Sequence, residues 1–254
     1  MNHKQDPIGV FDSGVGGISV LRKLRQFLPN EQFLYFGDSA NAPYGTRPTQ
    51  QIRDLTMAAA ERLMEQNVKA LVVACNTATS AAIRDLRQRW PDAIIVGIEP
   101  ALKPAVDRFP KGVIGVMATP ATLRESKFAS LMERHAAHCR VLKLPAPGLV
   151  ELVEAGLADS PQADDLLRPI LEPWKSDLDA LVLGCTHYPF AEASIRRILG
   201  PQALLLDGGE GTARETLRRL READLLSGGP GGITFENSLP DPALEERARV
   251  LLTL

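Results

Sequence analysis

The chain has 254 residues, with 29 Lys and Arg against 31 Asp and Glu, a formal net charge of −2, and 44% hydrophobic residues. That apolar content can fill one large domain or two of moderate size, and it excludes a disordered, collagen-like or disulfide-scaffold chain. A near-zero charge argues against nucleic acid or an anionic membrane surface as partner, because both select clustered Lys and Arg, and a small molecule is left.

The opening MNHKQDPIGVFDSG has no basic segment followed by a long apolar one, and no apolar run reaches the roughly 18–20 residues needed to span a bilayer. A soluble cytoplasmic protein is expected. Short apolar runs then alternate with amphipathic stretches, the pattern of parallel sheets covered by helices. In chain order, Ile8–Phe11, Phe33–Phe36, Ala70–Ala74, Ala93–Val96, Val113–Met117, Ala180–Gly184 and Ala203–Leu206 read as strands. Val20, Leu21, Leu24, Phe27 and Leu28 predict a helix over 16–28, ended by Pro29, which cannot continue the hydrogen-bond ladder. Similar stripes predict helices over Leu123–Arg134 and Ile195–Leu199. The stretch after about 208 ends in a helical pattern through Ala243, Ala248, Val250 and Leu251, and is expected to pack back onto the N-terminal half.

An internal repeat organises these elements. Ile8-Gly9-Val10-Phe11-Asp12-Ser13 returns 106 residues later as Ile114-Gly115-Val116-Met117-Ala118-Thr119. Ala70-Leu71-Val72-Val73-Ala74-Cys75-Asn76-Thr77 returns 110 residues later as Ala180-Leu181-Val182-Leu183-Gly184-Cys185-Thr186-His187. Duplication implies two similar open, mostly parallel α/β domains, 1–98 plus 208–254 and 99–207, with a ligand cleft between the strand ends of the two. Each half then carries a hydroxyl (Ser13, Thr119) at one strand end and a thiol (Cys75, Cys185) at another.

The three cysteines, Cys75, Cys139 and Cys185, are odd in number and show no CxxC spacing, which points away from disulfides and structural zinc. His3, His135, His138 and His187 are scattered, and His135 with His138, one helical turn apart, reads as a solvated helix face, so no metal site is expected. Cys139, at the end of a polar helix, reads as structural. Asp12-Ser13-Gly14-Val15-Gly16-Gly17 follows a strand and opens a helix, where backbone N–H groups attract a carboxylate or phosphate. A dinucleotide fingerprint with Asp38 as the ribose acid competes with this, although Ser19 stands where the third glycine belongs; a plain tight turn is the other alternative. Cys75 and Cys185 each follow a buried strand at a predicted helix start, a setting that favours thiolate, although a lone cysteine there is more often an inert apolar residue. Across the repeat Asp12 aligns with Ala118 and Thr77 with His187, so each half has one acid/base helper: Asp12 for Cys75 and His187 for Cys185. Two opposed acid/base groups suit stereochemical inversion at carbon, but a redox pair, or a nucleophile with a spectator, stays open.

DSGVGG at 12–17, GDSANAPYG at 37–45, ACNTAT at 74–79 and GCTHYPF at 184–190 together resemble the motifs of the aspartate/glutamate racemase superfamily, in its glutamate-specific branch, over about 8–210. The resemblance implies two α/β domains with the active site between them. It implies a cofactor-independent, metal-free two-thiol proton transfer at the α-carbon of glutamate, with D-glutamate destined for peptidoglycan. By position, Cys75 resembles the thiol that acts on D-glutamate and Cys185 the one that acts on L-glutamate, with Asp12 and His187 as helpers. Ser13, Pro43, Tyr44, Gly45, Asn76, Thr77 and Thr186 resemble substrate-binding positions, and Glu154 a further active-site acid, with Glu151 its neighbour in sequence. His187 favours glutamate over aspartate, whose racemases tend to carry Glu there. The chain departs from the pattern at Gly208 and at Glu236-Asn237-Ser238-Leu239, and its short lead before Ile8 argues against activation by a cell-wall precursor. A homodimer is expected on base rate alone.

Overall fold

A computed structural model describes residues 3–135 and 139–253, without the side chains of Lys127 and His135. The paired histidines His135 and His138 therefore lie outside what can be described. Two parallel sheets form the frame. The first has strand order β4-β3-β1-β2-β9, with β1 Ile8–Asp12, β2 Gln32–Gly37, β3 Ala70–Val73, β4 Ile94–Gly97 and β9 Gly232–Asn237. The second has the order β6-β5-β7-β8, with β5 Val113–Ala118, β6 Arg140–Pro145, β7 Ala180–Leu183 and β8 Leu204–Asp207.

Side chains alternate across a strand, so each sheet builds a core on each face. On the first, Val10, Val72 and Tyr35 pack under the helices Ile18–Phe27, Gly209–Glu222 and Pro242–Thr253. Phe11, Leu71 and Val73 pack under Thr49–Met64 and Asn76–Arg89 on the opposite face. On the second, Met117, Leu181 and Leu183 face Leu149–Glu154, Pro161–Leu171 and Glu192–Leu199, whereas Val116 and Val182 face Leu102–Arg108 and Ser126–His135. Cys139 belongs to that last core.

The repeat persists at the level of register. Ile8 lies opposite Ala70 in the first sheet and Ile114 opposite Ala180 in the second, the same alignment in both copies. Strands β2 and β6 occupy corresponding places beside β1 and β5. The chain after 208 packs back onto the first sheet as expected: β9 pairs with β2, and helix Gly209–Glu222 lies against Ile18–Phe27.

Three local expectations need correction. The helix predicted from 16 begins at Ile18, because Gly16 and Gly17 are spent in a tight turn whose carbonyls accept from Ser19 and Val20. The stripe Leu123–Arg134 is two helices, Pro120–Arg124 and Ser126–His135, interrupted by an extended Glu125. Strands β6 and β9 were missed because both are sheet edges whose partial exposure admits Arg140, Lys143, Glu236 and Asn237 and breaks the apolar run.

Candidate active site

In a parallel sheet all carboxyl ends lie at one edge, and the chemistry-bearing residues lie there. Ser13 follows β1 and Cys75 follows β3, its neighbour, which brings the Ser13 hydroxyl 3.5 Å from the Cys75 sulfur. Cys75 is also the N-cap of helix Asn76–Arg89, its Sγ accepting the Ala78 amide at 3.5 Å. In the second sheet Thr119 follows β5 and caps the helix Pro120–Arg124 through the Thr122 amide. Cys185 follows β7 with its Sγ 3.8 Å from Nδ1 of His187.

The two edges face each other. Asp12 Oδ1 accepts the Gly14 amide at 3.0 Å and Oδ2 accepts the Thr186 hydroxyl at 2.9 Å from the opposite sheet. Ser19 donates to the Thr186 carbonyl, and Thr77 shares its hydroxyl with Thr119 and Thr122. Glu154 Oε1 contacts His187 Nε2 at 2.7 Å and accepts the Val15 amide at 2.9 Å. A Cβ on Gly14 would overlap Glu154 Oε1, and one on Gly16 would overlap the His187 ring, so these glycines exist to admit side chains from the second sheet. The dinucleotide reading loses its footing here. Glu154 and His187 occupy the face that a pyrophosphate would need, and Asp38 accepts from the Tyr44 hydroxyl at 2.6 Å and from Asn41, bracing loop 39–46 rather than awaiting a ribose. That loop carries Pro43 and the buried Tyr44 and Gly45, with Gly45 close against Thr119. Both amide atoms of the buried Asn76 find no hydrogen-bond partner among the described residues.

Burial dominates the electrostatics. Asp12 is wholly buried and its pKa is pushed up to about 6, against the opposing pull of His187, Thr186 and Gly14. Burial and the Asp12 charge push the Cys75 thiol up to about 12, more than its contacts to Ser13 and Ala78 bring it down. This corrects the expectation that its helix start favours thiolate: desolvation of a buried cysteine outweighs one cap hydrogen bond. Burial disfavours a charged His187, but Cys185 and Glu154 on either side hold its pKa well above the ordinary histidine value. Burial likewise opposes ionisation of Glu154, which His187 and the Val15 amide nevertheless hold below the ordinary carboxyl value.

The predicted residues thus converge from both sheets, with one difference in pairing. Cys185 contacts His187 directly, whereas the Asp12 oxygens are taken by Gly14 and Thr186, so Asp12 reaches Cys75 through its charge rather than a hydrogen bond. Glu154, not Glu151, is the acid at the cleft. Sequence reasoning passed over Tyr35 and Thr122 and took Ser19 only as a departure from the glycine fingerprint, because their places depend on contacts between distant segments. The repeat aligns Ser13 with Thr119 and so pointed near Thr122, one helical turn further on.

The sequence pattern of the Asp/Glu/Hydantoin racemase family matches residues 8–216. A glutamate racemase from Clostridium perfringens is 46% identical over 254 residues, covering 99% of this chain and 98% of the relative. Among solved structures, a glutamate racemase isoform from Bacillus anthracis superposes with a TM-score of 0.88 at 31% identity, covering 99% of this chain and 96% of that one. A glutamate racemase from Francisella tularensis, in complex with D-glutamate, gives a TM-score of 0.86 at 28% identity, with 99% and 95% covered.

Proposed function

The chain belongs to the Asp/Glu/hydantoin racemase family, and on that premise we propose that it interconverts L- and D-glutamate by proton transfer between two thiols, supplying D-glutamate for peptidoglycan. The observation that carries this reading is the opposition of two strand-end thiols, Cys75 and Cys185, in sheets whose edges are joined by Asp12–Thr186 and Val15–Glu154. One thiol removes the α-proton from one face of the carbon, and the other delivers a proton to the opposite face.

The two sides are poised differently. A Cys75 thiol with its pKa near 12 is a proton donor at neutral pH, and a protonated His187 stands beside Cys185. The ligand-free site is therefore set to deliver a proton from Cys75, the step that completes the direction from L to D. The reverse direction requires Cys75 to lose its proton first, the task assigned to Asp12, whose raised pKa suits a base working near neutrality. Ser13, Thr77, Thr186, Asn76 and the loop Pro43-Tyr44-Gly45 bind the substrate in this reading. The unpaired Asn76 amide offers both a donor and an acceptor to an amino acid. No helix among the described residues is long and apolar enough to cross a membrane; a cytoplasmic location and a homodimer of two-lobed protomers, each with lobes 1–98 plus 208–254 and 99–207, complete the proposal, and sedimentation checks the dimer.

Purified protein incubated with pure L-glutamate without added cofactor should bring optical rotation to zero. Persistent rotation at high enzyme would overturn the reading, and aspartate in the same cuvette separates the neighbouring specificity. In deuterated water, product should carry solvent deuterium while early recovered substrate gains little, because a thiol returns its own proton on reversal whereas the opposite thiol delivers one from solvent. Equal labelling of both pools would mean a single mobile base.

A further inference from the structure

Tyr35 lies in the middle of β2, 2% exposed, its ring packed against Phe235 with centroids 6.0 Å apart. Its hydroxyl donates to the Gly14 carbonyl at 2.7 Å. That carbonyl belongs to the same peptide unit as the Val15 N–H, which donates to Glu154 Oε1 at 2.9 Å. In a trans peptide the C=O and N–H point in opposite directions, so the unit links the first lobe's core to the cleft. Glu154 Oε1 contacts His187 Nε2 at 2.7 Å, and His187 Nδ1 lies 3.8 Å from Cys185 Sγ. An unbroken chain thus runs from the Tyr35 hydroxyl through the Gly14–Val15 peptide, Glu154 and His187 to Cys185. Asp12 accepts the Gly14 N–H, which belongs to the preceding peptide unit, so Asp12 meets Tyr35 through its charge and through packing over Gly17, not through this chain of hydrogen bonds.

We infer that Tyr35 is a positioning residue for the Cys185 half of the reaction, orienting and polarising the Gly14–Val15 peptide so that its N–H holds Glu154 against His187. The inference rests on the racemase reading above and adds a residue to it. Hydrogen bonds in series strengthen one another, and a phenol on the carbonyl makes the amide at the other end a better donor. Gly17 gives room to both neighbours: a Cβ there would stand 2.6 Å from Asp12 Cβ and 3.0 Å from the Tyr35 oxygen. Removing the hydroxyl leaves the peptide free to turn and weakens the hold on Glu154, a side chain otherwise reached by His187 and by the charge of Arg247.

Enantiomers are equal in energy, so kcat/KM is the same in both directions for any variant, and a one-sided effect must be read in a half-reaction. In the Cys75→Ser protein Cys185 acts alone on β-chloro-L-alanine. Its sulfur takes the α-proton, the electron pair forms the C=C bond and chloride leaves; the aminoacrylate hydrolyses to pyruvate and ammonia. The Cys185→Ser protein performs the same step on the D-enantiomer through Cys75. Tyr35→Phe should lower kcat for elimination about tenfold in the Cys75→Ser background, with KM within about twofold, and change it less than about twofold in the Cys185→Ser background. Glu154→Gln should show the same one-sided loss. Tyr35→Phe added to Glu154→Gln should then cost less than a further factor of about two, since both act along one path. Equal losses in both backgrounds, no loss, or a full additional loss on Glu154→Gln would overturn the inference. So would a Tyr35→Phe protein that circular dichroism finds unfolded at assay temperature, which would mark a purely structural role. A wild-type chain that fails to racemise glutamate would overturn the functional reading as well, whereas these outcomes with an active wild type touch Tyr35 alone.

Discussion

A carboxyl group without solvent costs most when it is charged, and Asp12 makes this measurable. Its pKa rises from 3.8 to about 6 on folding, so between those values the folded chain holds a proton that the unfolded chain has released. Stability therefore falls as pH rises through that window, by up to about 3 kcal/mol from this group. Asp12→Asn should remove the fall: urea midpoints measured from pH 4 to 6.5 should converge on those of the variant at low pH and drop below them at high pH, and parallel curves would refute the assignment. His187 works in the opposite sense to a buried neutral histidine. Its raised pKa gives stability that is fully present below 6.5 and is lost as pH climbs through the higher folded value. The Cys75 thiol, pushed to about 12, holds a thiolate fraction of roughly one in ten thousand at pH 8. Iodoacetamide should accordingly label Cys75 slowly without substrate, the rate rising about tenfold per unit between pH 7 and 9. Rapid labelling at pH 7 would show that burial does not control this thiol. Thr186 also changes meaning: its hydroxyl already serves Asp12, so Thr186→Val should lower kcat as well as raise KM.

At the scale of elements, the loop after β1 is one of the places where the two lobes meet, and its glycines measure the tolerance. A methyl group at Gly16 meets the His187 ring, which cannot step aside because Glu154 and Cys185 hold both nitrogens. Gly16→Ala should cost about 1–3 kcal/mol of stability and more than about tenfold in turnover, with the far-ultraviolet spectrum unchanged; wild-type kinetics would mean the ring is mobile. Much of this was legible in the sequence, because buried parallel strands read as apolar runs and the duplication tied Ile8 to Ile114 and Ala70 to Ala180. That the thiols belong at matching strand ends followed from the same alignment. The edge strands β6 and β9 were not legible, since half-exposed strands dilute the pattern that marks a strand. The repeat contained the missing clue for β6, because a strand beside β1 requires one beside β5. Contacts such as Tyr35 with Gly14, or Val15 with Glu154, depend on how segments far apart in the chain are brought together, and no local spacing encodes them.

Taken whole, the molecule hides what it must expose. Cys75, Cys185, Asp12 and His187 are each 7% exposed or less. An amino acid cannot reach these sulfurs unless the lobes part. The contacts that hold them together are polar and few-atomed: Asp12 with Thr186, Thr77 with Thr119, Val15 with Glu154, and near the surface Thr49 with Glu125 at 2.6 Å. Each apolar core, by contrast, lies mainly against one sheet and its own helices, with Ala121 of the second lobe entering the Phe11 core and Phe190 packing on the Val10 core. Opening therefore breaks hydrogen bonds that water replaces at a net cost of about 1 kcal/mol each, together with the apolar contacts of Ala121 and Phe190, and leaves the rest of each core in place, so a rigid-body swing is the cheap motion. Glu125, the extended residue between two short helices, puts a handle for this motion on the second lobe, and Thr49 puts one on the first. Replacing both in one chain, Thr49→Cys with Glu125→Cys, and bridging them with a short bis-methanethiosulfonate, which forms a reducible disulfide at each end and releases methanesulfinate, should fix the lobes as they stand. Turnover of L-glutamate should fall in proportion to the bridged fraction and return on reduction, while either single variant treated alike keeps its activity. Full activity in fully bridged protein would show that glutamate enters without the lobes separating.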